Sequence, residues 1–332
     1  MKRIRIAQIG TSANSHGNEI WQSLLKQDDI FEVVGYALPE GEREKLPNQT
    51  KAFKVSREMT VDEILSDPTI EAVAIETEEI YLTKYALMAA KAGKHVHMEK
   101  PGGLDVAAFE ELVKTLRDKN LVFSLGYMYR FNPKVREALE KVKRGELGKI
   151  YSVEAQMNCY HVPELRKWLK GFPGGMMFFL GCHLIDLIYQ IQGEPDEVIP
   201  LSTSTGIDGL DSEDLGMAVF KYKGSVSFAK ACDDERGGYF RRQLVICGEK
   251  GTIEIRPLEM IFKGSSLYTV SHENYADAWL NPWEENQSEV FDRYDGMMRN
   301  FAELVRGKEN PYDYDYELNL YKLILKACRG IK

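Results

Sequence analysis

The first third of the chain alternates short apolar runs with amphipathic stretches. Ile4 to Ile9 is nearly continuous in apolar character and is closed by Gly10, as in a strand buried on both faces of a parallel sheet. After a loop from Thr11 to Gly17, Ile20, Leu24 and Leu25 share one helical face. The unit then repeats. Phe31 to Ala37 reads as a strand, Val61 to Ser66 as a short helix, Ile70 to Ile75 as a strand, and Tyr81 to Ala92 as a helix stopped by Gly93. His95 to Met98 is the next strand; Asp105 caps a helix whose Val106, Phe109, Val113 and Leu116 face one way, and Leu121 to Leu125 closes the series. Strands alternating with helices at this spacing predict an α/β domain over residues 1–125, with a doubly wound parallel sheet.

Beyond Pro133 and a helix to Lys143 the period changes to two. Leu215, Met217 and Val219 face one way, Val226 and Phe228 alternate with Ser225 and Ser227, and Ile253 and Ile255 alternate with Thr252 and Glu254. With tight turns at Gly224 and Gly251, this predicts a second, α+β domain over residues 126–332, built on a largely antiparallel open sheet with one face on a core. Two helices, about 287–306 and 316–329, end the chain. The acidic, tyrosine-rich stretch Glu309 to Glu317 reads as a solvated loop capping the last of them.

Composition narrows the function classes. A chain of 332 residues with 44% hydrophobic and 28% charged content is long enough for two cores and has no apolar run able to span a bilayer, so no membrane role is expected. The basic start is interrupted by Gln8 and Gly10 far short of a signal-peptide core, which points to a cytoplasmic protein. A net charge of −8 without a Lys/Arg cluster argues against nucleic acid as a partner. Five cysteines, at 159, 182, 232, 247 and 328, show no zinc-type spacing and are expected to be free buried thiols, with no metal.

The chemistry gathers at His95 to Gly103, HVHMEKPGG. A parallel strand delivers its last residues into the crevice where ligands of open α/β sheets bind, so Lys100 points at a ligand, and Pro101 stiffens the exit. The opening strand, loop and helix match the place of a dinucleotide-binding turn, with a pyrophosphate on the helix N-terminus. The turn is GTSANSHG: of G-x-G-x-x-G only Gly10 is in place, with Ser12 and Ser15 at the other two positions. At the end of the second strand there is no acid until Glu40 and no arginine until Arg43, so the choice between NAD and NADP stays open.

In the second domain the stretch Gly174 to Asp186, GGMMFFLGCHLID, predicts a helix from Met176 with Phe179 and His183 one turn apart. Together with the dinucleotide-type start, E-K-P after the His95 strand, YRFNP at Tyr129 to Pro133, GELGKI at Gly145 to Ile150 and CGEKGTIEI at Cys247 to Ile255, it resembles the Gfo/Idh/MocA oxidoreductase family over nearly the whole chain. The resemblance implies a Rossmann-like first domain. It also implies a lysine, Lys100, beside the nicotinamide and the reacting carbon, and a histidine, His183, as base on the substrate hydroxyl. Cofactor contacts are implied from Gly10, Thr11, Ser12, Asn14 and Ser15. Further contacts are implied from Thr77, Glu78 and Tyr81, and from Glu99, Lys100 and Pro101.

Two departures stand out. The family's D-x-x-x-H reads Phe179…His183, and its T-P-x reads Thr77-Glu78-Glu79, with Tyr81 in the place of a following histidine. The expected function is NAD(P)-dependent hydride transfer on a hydroxyl or keto group of a sugar, cyclitol or sugar derivative, with Arg130, His161 and Trp168 as candidate substrate contacts. The alternatives are redox-assisted elimination or glycoside cleavage on a tightly bound cofactor, and a non-catalytic sugar- or nucleotide-binding protein on the same scaffold. A homo-oligomer, dimer or tetramer, is expected on resemblance alone.

Overall fold

The structure is a computed structural model, and it describes residues 2–53, 56–277 and 283–330. The chain divides into two compact units: Met1–Tyr127 with Tyr294–Tyr321, and Met128–Arg293 with Lys322–Lys332.

The first unit runs β1 (Ile4–Ile9), α1 (Gly17–Lys26), β2 (Phe31–Ala37), α2 (Glu42–Lys45), α3 (Val61–Ser66), β3 (Ala72–Ile75), α4 (Leu82–Lys91), β4 (His95–Met98), α5 (Val106–Asp118) and β5 (Phe123–Leu125). The strands pair in parallel in the order β2-β1-β3-β4-β5. β3 is apolar and wholly buried, as in a sheet covered on both faces, and β4, with histidines at 95 and 97, is buried from Val96 on. The helix starts follow from local chemistry: Thr60 and Glu63 form a reciprocal capping box at α3, and the Asp105 carboxylate accepts from the Ala108 amide at α5. The β3 and β5 strands begin two residues later than the apolar runs suggested, at Ala72 and Phe123.

The second unit holds α6 (Pro133–Lys143), β6 (Ile150–Asn158), α7 (Pro163–Trp168), a π-helical turn (Met177–Gly181), α8 (Cys182–Gln192), β7 (Glu197–Pro200), β8 (Leu215–Tyr222), β9 (Ser225–Cys232), β10 (Gln243–Gly248) and β11 (Gly251–Ile255). The chain continues with β12 (Met260–Lys263), β13 (Ser266–Tyr268), β14 (Val270–Asn274), β15 (Glu284–Gln287) and β16 (Phe291–Asp292). The large sheet has the order β15-β14-β11-β10-β6-β9-β8-β7 and is antiparallel except between β6 and β9.

On β8 it is Gly216, Ala218 and Phe220 that are buried, while Leu215, Met217 and Val219 are half-exposed. The π-turn explains this. It lies so close to the sheet that a Cβ on Gly216 would stand 2.8 Å from the Met177 amide nitrogen, so the inner face takes small residues there. A bulky aliphatic row is left on the outer face.

The chain's end departs from expectation. Gln287 ends a fully exposed strand, β15, and the helix α9 (Asp295–Val305) starts eight residues further on; α10 spans Tyr314–Ala327. Residues 294–321, assigned from sequence to the second domain, belong to the first unit. Asp295 accepts from Ser23 Oγ at 2.8 Å and pairs with Lys26, and Phe301 lies against the His97 ring at 5.7 Å. The acidic stretch before α10 is tied down as well as capping: Asp313 accepts from the Tyr316 amide, and Tyr314 donates to Leu121 O at 2.7 Å. The Tyr321 ring stacks on Phe109 at 3.9 Å and 8°, with its hydroxyl on Gly103 O at 2.9 Å.

Phe109 is wholly buried under that stack. Phe109→Ala is expected to destabilise the first unit by about 3–5 kcal/mol, read as a lowered midpoint in chemical denaturation.

Candidate functional site

The first sheet reverses its winding between β1 and β3, the point in such sheets where ligands bind. There Gly10 has φ +87°, and a Cβ on it would lie 2.3 Å from Thr77 Cγ2, so only glycine closes the turn. Buried Gln8 holds both ends of the following loop, its Nε2 donating to Gly10 O at 3.1 Å and to Gly17 O at 2.9 Å. Gly17 opens α1, and a Cβ there would meet Glu76 Cβ at 3.1 Å. The close-packing glycine expected at Ser15 is therefore Gly17: the loop is two residues longer than the motif, and the position was legible as the next glycine before the helix.

Thr11 and Ser12 are buried in this loop, Asn14 donates its amide to Ser12 Oγ at 3.2 Å, and α1 begins without a side-chain cap. Its first-turn amides suit an anion. The Thr11 amide itself donates to Glu42 Oε2 at 3.2 Å. Burial pushes the Glu42 carboxyl up to about 8, so at neutral pH it is protonated and does not repel a phosphate. Glu40 takes hydrogen bonds from Lys84 Nζ at 2.6 Å and Tyr85 Oη at 2.7 Å, and Arg43 is paired with Glu58.

At the ends of β3 and β4 the structure buries a group of acids, of which Glu99 was expected as a cofactor contact and Glu76 and Glu79 were not. Glu76 and Glu79 are wholly buried and Glu99 is 2% exposed, as is Lys100, whose Nζ lies 3.5 Å from Glu99 Oε1. Burial raises Glu76 well above the ordinary range, assisted by the charge of Glu99, and pushes Glu79 up to about 8; Lys100 opposes both. Glu99 is also raised by burial against the pull of Lys100. His97, held neutral by burial with its pKa near 3, sits 3.8 Å from Glu76 Oε1 and 3.4 Å from Ser124 Oγ. The signal was present: two carboxylates directly after the all-apolar run of β3, at the end where such strands carry chemistry. Thr77 is buried, Glu78 and Tyr81 are half-buried beside it, and Pro101 follows Lys100 through a cis peptide bond.

In the second unit the helix expected from Met176 is instead a π-turn followed by α8. His183 is 2% exposed, with the Tyr129 ring edge-on to it at 5.3 Å. Phe179 packs edge-on against Trp168 at 5.1 Å, in a cluster with Cys159, Leu169, Met176 and Ala231. Arg130 is buried and committed inward. Its Nε and Nη2 donate to the Asp186 carboxylate at 2.8–3.2 Å, pinning the segment after β5 to α8. His161 hydrogen-bonds Asp233 rather than standing alone, a pairing no local spacing announced.

Comparison with known proteins settles the family. Residues 4–127 match the oxidoreductase family with an NAD-binding Rossmann fold, and residues 135–254 match the GFO/IDH/MocA C-terminal domain. The chain belongs to the Gfo/Idh/MocA family. Its first unit is an NAD(P)-binding Rossmann domain. Similar proteins include the myo-inositol 2-dehydrogenase of Thermotoga maritima, 22% identical over 76% of this chain and 79% of that one. Bovine trans-1,2-dihydrobenzene-1,2-diol dehydrogenase is 26% identical over 61% of each chain, so the match spans less than two thirds of that enzyme. The 3-ketoreductase KijD10 of Actinomadura kijaniata, solved with NADP and TDP-benzene, superposes with a TM-score of 0.78 at 19% identity, covering 99% of this chain and 98% of that one. At that identity the likeness speaks for the fold.

Glu79 supplies a pH test. The unfolded chain releases this proton near 4.5, whereas the folded chain holds it to about 8, so the group's contribution is lost as pH rises through that window. Glu79→Gln is expected to be more stable than the parent at pH 9, on the order of 4 kcal/mol, and little different at pH 4.5, measured by denaturation across pH.

Proposed function

We propose that the chain is an NAD(P)-dependent oxidoreductase acting on a hydroxyl or keto group of a small carbohydrate-like molecule, a sugar, cyclitol or sugar derivative. The observation that carries this reading is Lys100: a buried ammonium at the carboxyl end of β4, in a domain whose Gly10 turn and α1 start are shaped for a dinucleotide. Bound, the nicotinamide supplies hydride acceptance or donation. Lys100 Nζ donates a hydrogen bond to the reacting oxygen and offsets the negative charge that grows there. Glu99 Oε1, 3.5 Å from Nζ, is its ion-pair partner. His183 exchanges the hydroxyl proton, a role carried over from the family pattern.

The Rossmann domain and the names of relatives, among them a myo-inositol 2-dehydrogenase and a 1,5-anhydro-D-fructose reductase, support the substrate class. One observation favours a second reading, a binding protein on this scaffold: the position of the family's aspartate is filled by Phe179, packed on Trp168, which cannot orient an imidazole.

Mass spectrometry of the denatured protein should release NAD(H) or NADP(H), or else one of the two should raise the melting temperature, by about 2.7 kcal/mol of stabilisation at a hundredfold excess over Kd. Lys100→Met is expected to keep that binding and lose about a hundredfold or more in turnover. Binding with turnover unchanged in Lys100→Met overturns the role of Lys100. Binding without turnover on any polyol or keto sugar favours the second reading.

We also propose that two copies pair through the outer face of the large sheet, because Met217, Val219, Phe228 and Val245 stand half-exposed on it. Val219→Glu is then expected to shift the protein toward monomer in sedimentation velocity, with the circular dichroism spectrum unchanged.

A further inference from the structure

Past the ends of β6 and β9 the two segments stay hydrogen-bonded, through an antiparallel bridge between Tyr160 and Asp234. The Cys159 amide donates to Cys232 O at 2.9 Å, the His161 amide to Asp233 O at 2.9 Å, and the Glu235 amide to Cys159 O at 2.8 Å. In extended backbone, residues two apart share a side, so this ladder sends the side chains of Cys159 and His161 to the same place, beside that of Asp233. Among the described residues these three bring a sulfur, an imidazole nitrogen and a carboxylate oxygen within 4.8 Å of one another. We propose that Cys159, His161 and Asp233 form a binding site for a divalent, borderline-soft transition metal ion of the zinc type, with an open fourth position.

The arrangement is that of a chelate and not of a proton relay. In a nucleophile–histidine–acid relay the two partners lie on opposite nitrogens of the ring. Here both Cys159 Sγ, at 3.5 Å, and Asp233 Oδ1 approach the same atom, His161 Nδ1. They also approach each other, Sγ to Oδ1 at 3.6 Å. Bonds of about 2.3 Å to sulfur and 2.0–2.1 Å to nitrogen and oxygen at tetrahedral angles place ligand atoms roughly 3.5 Å apart. Two of the three edges already have that length. The third, between His161 and Asp233, is closed by a hydrogen bond and opens when a cation replaces its proton.

Rigidity is distributed as such a site requires. Cys159 is 6% exposed and Asp233 is wholly buried, whereas the His161 side chain keeps 29% of its surface and has room to move. That exposed side leaves the fourth position to water or another ligand. Asp233 Oδ2 is buried without a hydrogen-bond partner among the described residues, a cost that a cation would remove. The nearby cation, Arg242, is spoken for: its Nη1 binds Glu259 at 2.7 Å. A thiolate, an imidazole and a carboxylate together suit zinc better than magnesium or calcium, which take all-oxygen sets.

The test uses the full chain, stripped with chelator and reloaded with Co(II) alone. The expected result is about one cobalt per chain by elemental analysis, with an intense visible spectrum of four-coordinate type and a sulfur-to-cobalt charge-transfer band in the near ultraviolet, both displaced by Zn(II). Cys159→Ser should lose the charge-transfer band, and Asp233→Asn should weaken uptake by about a hundredfold or more, with circular dichroism confirming that each variant is folded. No cobalt retained by the parent protein overturns the site. So does a charge-transfer band that survives Cys159→Ser. Because the readout is metal content and colour, it is independent of whether NAD(P) binds or any substrate turns over.

Discussion

One ammonium group makes the carboxyl end of the first sheet tolerable. Glu76, Glu79 and Glu99 are buried where charge is costly, and the Lys100 charge opposes the burial penalty in each of them. Burial raises all three carboxyls, and the Lys100 charge limits the rise. Lys100 is as buried as the acids, with its Nζ 3.5 Å from Glu99 Oε1. The parallel strands deliver these residues, and the pairing of β4 with β3 and β5 fixes where Nζ can reach.

How much of this was legible before the structure depends on the kind of signal. Buried parallel strands announce themselves, since a run such as Ile4–Ile9 or Ala72–Ile75 has no polar face to hide, and β1 and β2 were bounded to the residue. The catalytic candidate Lys100 was legible because Glu-Lys-Pro sits at a strand's functional end. Glu99 came with the same motif, but the burial of Glu76 and Glu79 did not show, since nothing local tells a wholly buried Glu79 from a half-buried Glu78. The loop was misjudged by two residues for a similar reason: Gln8, the side chain that sets its length, reads locally as a lone polar residue in a strand.

In the second unit, alternation showed that a sheet was present but could not say which side was inside. Larger aliphatics normally face a core, yet on β8 the π-turn approaches so closely that glycine and alanine take the inner positions. The π-turn itself has no local sequence mark. Contacts across large separations were the least visible of all. Arg130 with Asp186, and His161 with Asp233, are made by strand order and helix placement, so their partners had no motif to carry them.

The first unit is discontinuous, and this bears on how the protein is made. Its five strands are translated before the second unit's sheet, but Asp295, Phe301 and Tyr321, which meet Ser23, His97 and Phe109, are translated after it. The nascent dinucleotide-binding half must therefore wait, incompletely covered, while the whole intervening unit is synthesised. A premature stop before Tyr294 would damage the beginning of the protein as much as its end, and a chaperone that shields unfinished sheets would find its client here in the amino-terminal half.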